Sequence, residues 1–178
     1  TLLFQEAWNK YAQGSLSAWE MESLCFYYHE HELAHMDSKK YGIVDFYSLS
    51  EVPVVDYTFT RKGKEIPIYQ TFKIAGTIIS KNDTHSSITL LTTSGVVTVK
   101  FTKEYFAMFA RQISQKQPDG TKKVIEKGWM TRGTKVMCTG IRRDDTFVAK
   151  TYTKTLTHQL YKINQVNEDG SLELIHER

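Results

Sequence analysis

The chain has 178 residues, 40% hydrophobic, 12% aromatic and 24% charged, a composition that buries a real core and excludes disordered or collagen-like chains. Its apolar runs, such as Ile78-Ile79 and Val96-Val97, are a few residues long, far short of the roughly 18–20 that span a bilayer. The net charge of +3 is unevenly spread: residues 56–165 carry 19 Lys/Arg against 8 Asp/Glu, residues 1–55 carry 3 against 8, and residues 166–178 carry 1 against 4. The middle of the chain therefore has the electrostatic footprint of a polyanion binder.

Two distant cysteines, Cys25 and Cys138, make neither a CxxC pair nor a disulfide framework, which points to a reducing compartment, the cytoplasm. Thr1-Leu2-Leu3-Phe4 reads as mid-helix sequence, with no initiator Met, basic n-region or cleavage site, so the chain is expected to be a piece of a longer protein.

Residues 1–36 read as a helical segment. Ser17-Ala18-Trp19-Glu20 has the form of a capping box, and Ala18, Met21, Leu24, Cys25 and Tyr28 follow at helical spacing. The pattern dissolves over 37–55, which reads as a linker. Period-two patterns then take over. Tyr57–Thr60 and Glu65–Tyr69 around Arg61-Lys62-Gly63-Lys64 predict a hairpin, with Pro67 confining its second strand to an edge. Phe72–Ser80, Ser87–Thr93 and Val96–Phe101 predict a three-stranded meander. Thr102 is placed to cap a helix over Lys103–Ser114, whose Tyr105, Phe106, Phe109 and Ile113 fall at helical spacing, with the aromatics expected in the core. A basic excursion with the turn Pro118-Asp119-Gly120 leads to strands Lys135–Arg142 and Thr146–Tyr152. Gln159–Val166 and Ser171–His176 predict a terminal hairpin.

Three meandering strands, a helix and two more strands is the element order of an OB-fold, a five-stranded Greek-key barrel. The expected class is mainly β: an OB-fold domain over 56–165 with its helix between the third and fourth strands, preceded by the helical segment and the extra hairpin, and followed by a hairpin or tail over 166–178. Gly76 suits the bend that the long first strand needs to belong to both sheets, and Gly140 a similar close approach in the fourth.

Several of these segments are similar to a known family. Trp19-Glu20-Met21-Glu22-Ser23-Leu24-Cys25-Phe26-Tyr27-Tyr28 with His31-Glu32-Leu33 resembles the "E-x-E-x-L-G-F-Y-x-S-x-H-P-L" stretch ending the helix-hairpin-helix region of bacterial C-family replicative polymerases, the DNA polymerase III alpha subunits. Lys73–Ile79, Thr89–Phe101 and Gly133–Gly140 resemble the strands of the OB unit that follows in that family. Cys25 stands where the family has Gly, Glu32 where it has Pro, and the 115–128 excursion is longer, which points to a divergent or phage-like branch. The resemblance implies that the catalytic aspartates lie in an upstream palm domain. This fragment would then carry no phosphoryl transfer, while the parent chain would be a DNA-directed DNA polymerase.

His31-Glu32-Leu33-Ala34-His35 matches HExxH, which on a helix sets two imidazoles for zinc and a glutamate for its water. Ser38 and Tyr41 occupy the Gly and His positions of the extended form, and no third ligand is evident. No metal, cofactor or catalytic residue is therefore expected. Asp144-Asp145 reads as a turn.

OB-folds bind single strands on the face of the second and third strands, flanked by the loops joining strands one to two and four to five. The candidate nucleic-acid contacts are Lys81 and His85 in the first loop, Thr98 and Lys100 on the third strand, and Arg142 and Arg143 at the second loop. Phe147, Lys150 and Tyr152 on the fifth strand complete the set. Cations would track phosphates, and Phe147, Tyr152 or His85 would stack on bases without reading sequence. The expected partners are single-stranded template DNA, other replisome subunits and the remainder of the polymerase chain, with no membrane, and the fragment is expected to be a monomer. A protein-interaction module built on the same barrel and an HExxH zinc hydrolase are the alternatives.

Overall fold

A computed structural model describes residues 32–151 and 158–176. The helix expected over 1–36, its capping box and His31 lie outside the described residues except for the short 3-10 turn Glu32–His35.

Strands β1 (Val55–Arg61) and β2 (Lys64–Tyr69) form the separate hairpin expected from their turn, with Arg61 opposite Lys64. The barrel is built from β3 (Phe72–Asn82), β4 (Ser87–Leu91) and β5 (Val96–Lys100), then β8 (Lys135–Arg143) and β9 (Thr146–Ala149). Between β5 and β8 come the helix Lys103–Ala110 and the hairpin of β6 (Ile113–Lys116) and β7 (Lys122–Glu126). The sheet closes on itself: β3 pairs with β4, β4 with β5, β5 in parallel with β9, and β9 with β8, which returns to β3. This is a closed five-stranded barrel with the strand order of an OB-fold. β10 (Leu160–Val166) adds to the outer edge of β8, and β11 (Leu172–Ile175) pairs with β10.

Alternation sets which side chains fill the barrel. On β5, Val97 and Val99 are buried while Val96 and Lys100 are exposed, and on β4 Ile88 and Leu90 point the same way as those valines. A one-residue slip would exchange the two faces, so burial on one side fixes the register. Gly140 and Gly76 sit where strands cross closely. A Cβ on Gly140 would collide with the Val148 carbonyl, and one on Gly76 would lie 2.8 Å from the Leu91 carbonyl. The Gly140 contact agrees with the close approach read from the sequence.

Thr102 caps the helix, its hydroxyl accepting from the Tyr105 amide at 3.4 Å, and Phe106 and Phe109 enter the core. Phe109 packs against Trp129 with ring centroids 4.8 Å apart. The helix stops at Ala110 rather than Ser114, because Arg111 takes extended backbone angles. Ile113 therefore falls on β6 rather than on the helix, and is 43% exposed. β9 likewise ends at Ala149, short of Tyr152.

The 37–55 segment packs onto the barrel. Asp37 caps the single turn Ser38–Tyr41, Ile43 bridges to Lys73, and Phe46 is buried among Ile74, Phe147 and their neighbours. Tyr47 donates its hydroxyl proton to the Val96 carbonyl at 2.6 Å. A second apolar cluster, Leu33, Ala75, Met137, Ile163 and Leu172, lies apart from the barrel interior and ties the residues around Leu33 to β3, β8, β10 and β11. Burying each of its larger side chains, Leu33, Met137, Ile163 and Leu172, contributes about 1.5–3 kcal/mol. The C-terminal hairpin is held the same way: the Leu172 amide donates to the Tyr41 hydroxyl at 2.7 Å.

Candidate nucleic-acid interface

The outer face of β4, β5, β9 and β8 is assembled by register. Thr98 stands beside Thr89 and Thr146, and Thr146 beside Arg143, so these four form one row across four strands. In the next row Lys100 stands beside Ser87 and Val148. Lys100 and Arg143 are exposed and Thr98 is half-buried. Lys150, one residue beyond β9, is half-buried and anchored by its amide, which donates to the Thr139 carbonyl at 2.9 Å.

Arg143 and Lys150 converge on one ring. The Arg143 guanidinium carbon lies 5.5 Å from the centroid of Tyr69, at the end of β2, and the Lys150 Nζ lies 5.4 Å from it. Burial, reinforced by the positive charge of Arg143, lowers the Lys150 pKa from its ordinary value. Among the described residues no carboxylate lies within 4 Å of Lys100, Arg143 or Lys150.

The first loop is shorter than expected because β3 runs through Asn82. Lys81 is on that strand, opposite Ile88, and pairs with Asp83 at 3.3 Å. His85 is exposed in the turn, where its amide donates to the Asn82 Oδ1 at 3.1 Å.

Two expected contacts are withdrawn. Arg142 is 8% exposed and its guanidinium is consumed internally: Nε donates to the Asp144 carbonyl (2.8 Å), and Nη1 to the carbonyls of Leu49 (2.8 Å) and Phe46 (3.3 Å). Glu51 lies 3.5 Å from its Nη2. Strand alternation sends adjacent arginines to opposite sides, so only Arg143 faces out. Phe147 is fully buried, paired with Val99 in register and 6.4 Å from the Phe46 ring, so it has no face to offer a base. Tyr152 lies outside the described residues.

Two curated relatives are each 43% identical to this chain over 178 residues, 99% of its length. One, from Bacillus subtilis (strain 168), is named "Probable DNA polymerase YorL", and the other, from Bacillus phage SPbeta, is named "DNA-directed DNA polymerase". The chain is similar to DNA polymerases. It spans 14% of the length of each of these relatives. No family model matches, and no solved structure matches.

Tyr69 was not legible as a site residue. Its sequence signal, an aromatic closing a hairpin strand in a basic unit, is weak, and its contacts come from strands far along the chain. For the HExxH pattern, Leu33 is buried in the second apolar cluster. Among the described residues no group of three His, Cys, Asp or Glu is placed to hold a metal ion. Cys138 is buried, which pushes its thiol pKa far up and leaves it unreactive. No helix of the described residues is long and apolar enough to cross a membrane.

Proposed function

We propose that this chain is a sequence-nonspecific, single-stranded DNA-binding OB-fold module of a replicative DNA polymerase, of the C-family alpha-subunit kind its motifs resemble. In this reading it guides template strand in the cytoplasm, beside the remainder of the polymerase chain and other replisome subunits. The parent chain is a DNA-directed DNA polymerase whose nucleotide transfer takes place elsewhere. One observation carries the reading: a barrel similar to parts of DNA polymerases presents Lys100, Arg143 and Lys150 with no carboxylate within 4 Å of them among the described residues. Such cations recognise phosphates and carry no base information.

Titration of a labelled oligo-dT at rising salt tests it. Each phosphate neutralised on a single strand contributes a slope of about −0.7 in log K against log salt, so two engaged phosphates give about −1.4. Salt-independent binding, or none at low ionic strength, overturns the reading.

A second reading has its own observation. On the β6–β7 hairpin Ile113, Val124 and Ile125 are 43%, 45% and 62% exposed, an apolar surface suited to a protein partner in the replisome. Removing it leaves oligo-dT binding intact under the first reading.

A further inference from the structure

We propose that Tyr69, Arg143 and Lys150 form a clamp for one phosphodiester of the bound single strand, in which the tyrosine ring is the post that holds the two cations together. The clamp rests on the single-strand reading and deepens it. The ring is nearly equidistant from the two cations, at 5.5 Å from the Arg143 guanidinium carbon and 5.4 Å from the Lys150 Nζ, within the range where an aromatic quadrupole attracts a cation. Two like charges gathered on one ring repel each other, and no carboxylate among the described residues lies within 4 Å of either. Burial and the Arg143 charge both disfavour the charged form of Lys150. An anion between the cations relieves both penalties, and a phosphodiester supplies oxygens to a planar guanidinium fork and to an ammonium at once.

The position fits a strand path. Arg143 ends the row that runs from Thr89 through Thr98 and Thr146, and Tyr69 belongs to β2, immediately before the barrel. The hairpin thereby contributes to the face instead of merely preceding it. Phe147, one of the two strand aromatics expected to meet the nucleic acid, is in the core. Tyr69 reaches this surface from outside the barrel and acts through cations.

The test uses the whole 178-residue chain with oligo-dT, comparing salt slopes for Arg143→Gln, Lys150→Gln, the double variant, Tyr69→Leu and Tyr69→Phe, each first shown to be folded by circular dichroism. A clamp on one phosphate removes one unit of Z, so the double variant flattens the slope by about 0.7 and neither single variant exceeds that. Tyr69→Leu flattens it by a similar amount, and Tyr69→Phe, which keeps the ring face, restores the native slope. A double variant that flattens the slope by about 1.4 means two independent phosphate contacts; it overturns the clamp and leaves the single-strand reading standing. So does a Tyr69→Leu variant that weakens oligo-dT binding with the slope unchanged, the signature of base stacking or of a purely structural role. If Tyr69→Leu does not fold, the double variant still decides, because Arg143 is exposed and Lys150 only half-buried. A wild-type chain without salt-dependent binding removes the single-strand reading and the clamp together.

Discussion

The guanidinium carbon of Arg142 lies 4.5 Å over the ring of Phe46 while its Nη1 donates to the carbonyl of the same residue. This pair fastens the 46–51 segment to the turn between β8 and β9, where the Asp144 amide also donates to the Glu51 carbonyl at 2.9 Å. One side chain thus donates to three carbonyls on two segments, of which that of Phe46 also accepts from the Leu49 amide at 3.1 Å.

Arg142→Gln should therefore act on stability. Losing charge-assisted bonds to buried and part-buried carbonyls costs about 2–4 kcal/mol, given roughly 1.5–3 for each such bond with partial compensation by water. Urea unfolding measures it, and the salt slope of oligo-dT binding by the folded fraction should match wild type. A flattened slope with unchanged stability would return Arg142 to the interface.

Phe147→Ala should cost about 3–5 kcal/mol, the range for truncating a buried aromatic, because its ring fills the barrel between Phe46 and the β5 valines. Phe147→Leu, which retains most of the volume, should fold and bind oligo-dT with wild-type affinity. A loss of affinity in a fully folded Phe147→Leu protein would contradict the buried position.

Local patterns carried most of the barrel. Val97 and Val99 announce the inner face of β5 by alternation alone, Thr102 announces the helix start, and Gly76 and Gly140 mark the strand crossings. What escaped depends on non-local pairing. Whether Phe147 faces in or out is fixed by its parallel register with Val99, which no feature of Thr146–Ala149 encodes. Arg142 and Arg143 are the same residue type side by side at the end of β8, and only the strand's phase separates a staple from a surface cation. Phe46 sits in a stretch with no periodicity, so its burial is visible only once the barrel end it covers exists. Tyr69 reads as the end of a hairpin until β8 and β9 bring two cations to its ring.

The terminal hairpin offers a pH test. The Asp169 carboxylate accepts from the Ser171 hydroxyl and, at 2.9 Å, from the Ser171 amide, which holds its pKa below the ordinary aspartate value. A carboxylate with a lowered folded-state pKa contributes stability that is present above its unfolded value and lost as pH falls through the folded one. Amide exchange of Ser171 and Leu172, corrected for intrinsic rates, should accelerate over that acid window, below the ordinary aspartate pKa. Asp169→Asn should remove the acid step, and a step that persists in this variant would assign it elsewhere.

Lys81 and Lys100 should separate under the same salt titration, although both were read from the sequence as phosphate contacts. Lys81 lies 3.3 Å from Asp83, with both side chains substantially exposed; such a pair is worth little to stability, yet the carboxylate offsets the charge a phosphate would meet. Lys100 has no carboxylate within 4 Å among the described residues and stands in register with Val148 on β9, on the same outer surface as Arg143. Lys100→Gln should flatten the oligo-dT slope by about 0.7, the contribution of one phosphate, and weaken dT, dA and mixed sequences alike, because a phosphate contact carries no base information. Lys81→Gln should change the slope by clearly less, and Asp83→Asn should strengthen binding by releasing Lys81. Equal slopes for wild type and Lys100→Gln would remove β5 from the strand path and leave the β8–β9 side alone to carry it.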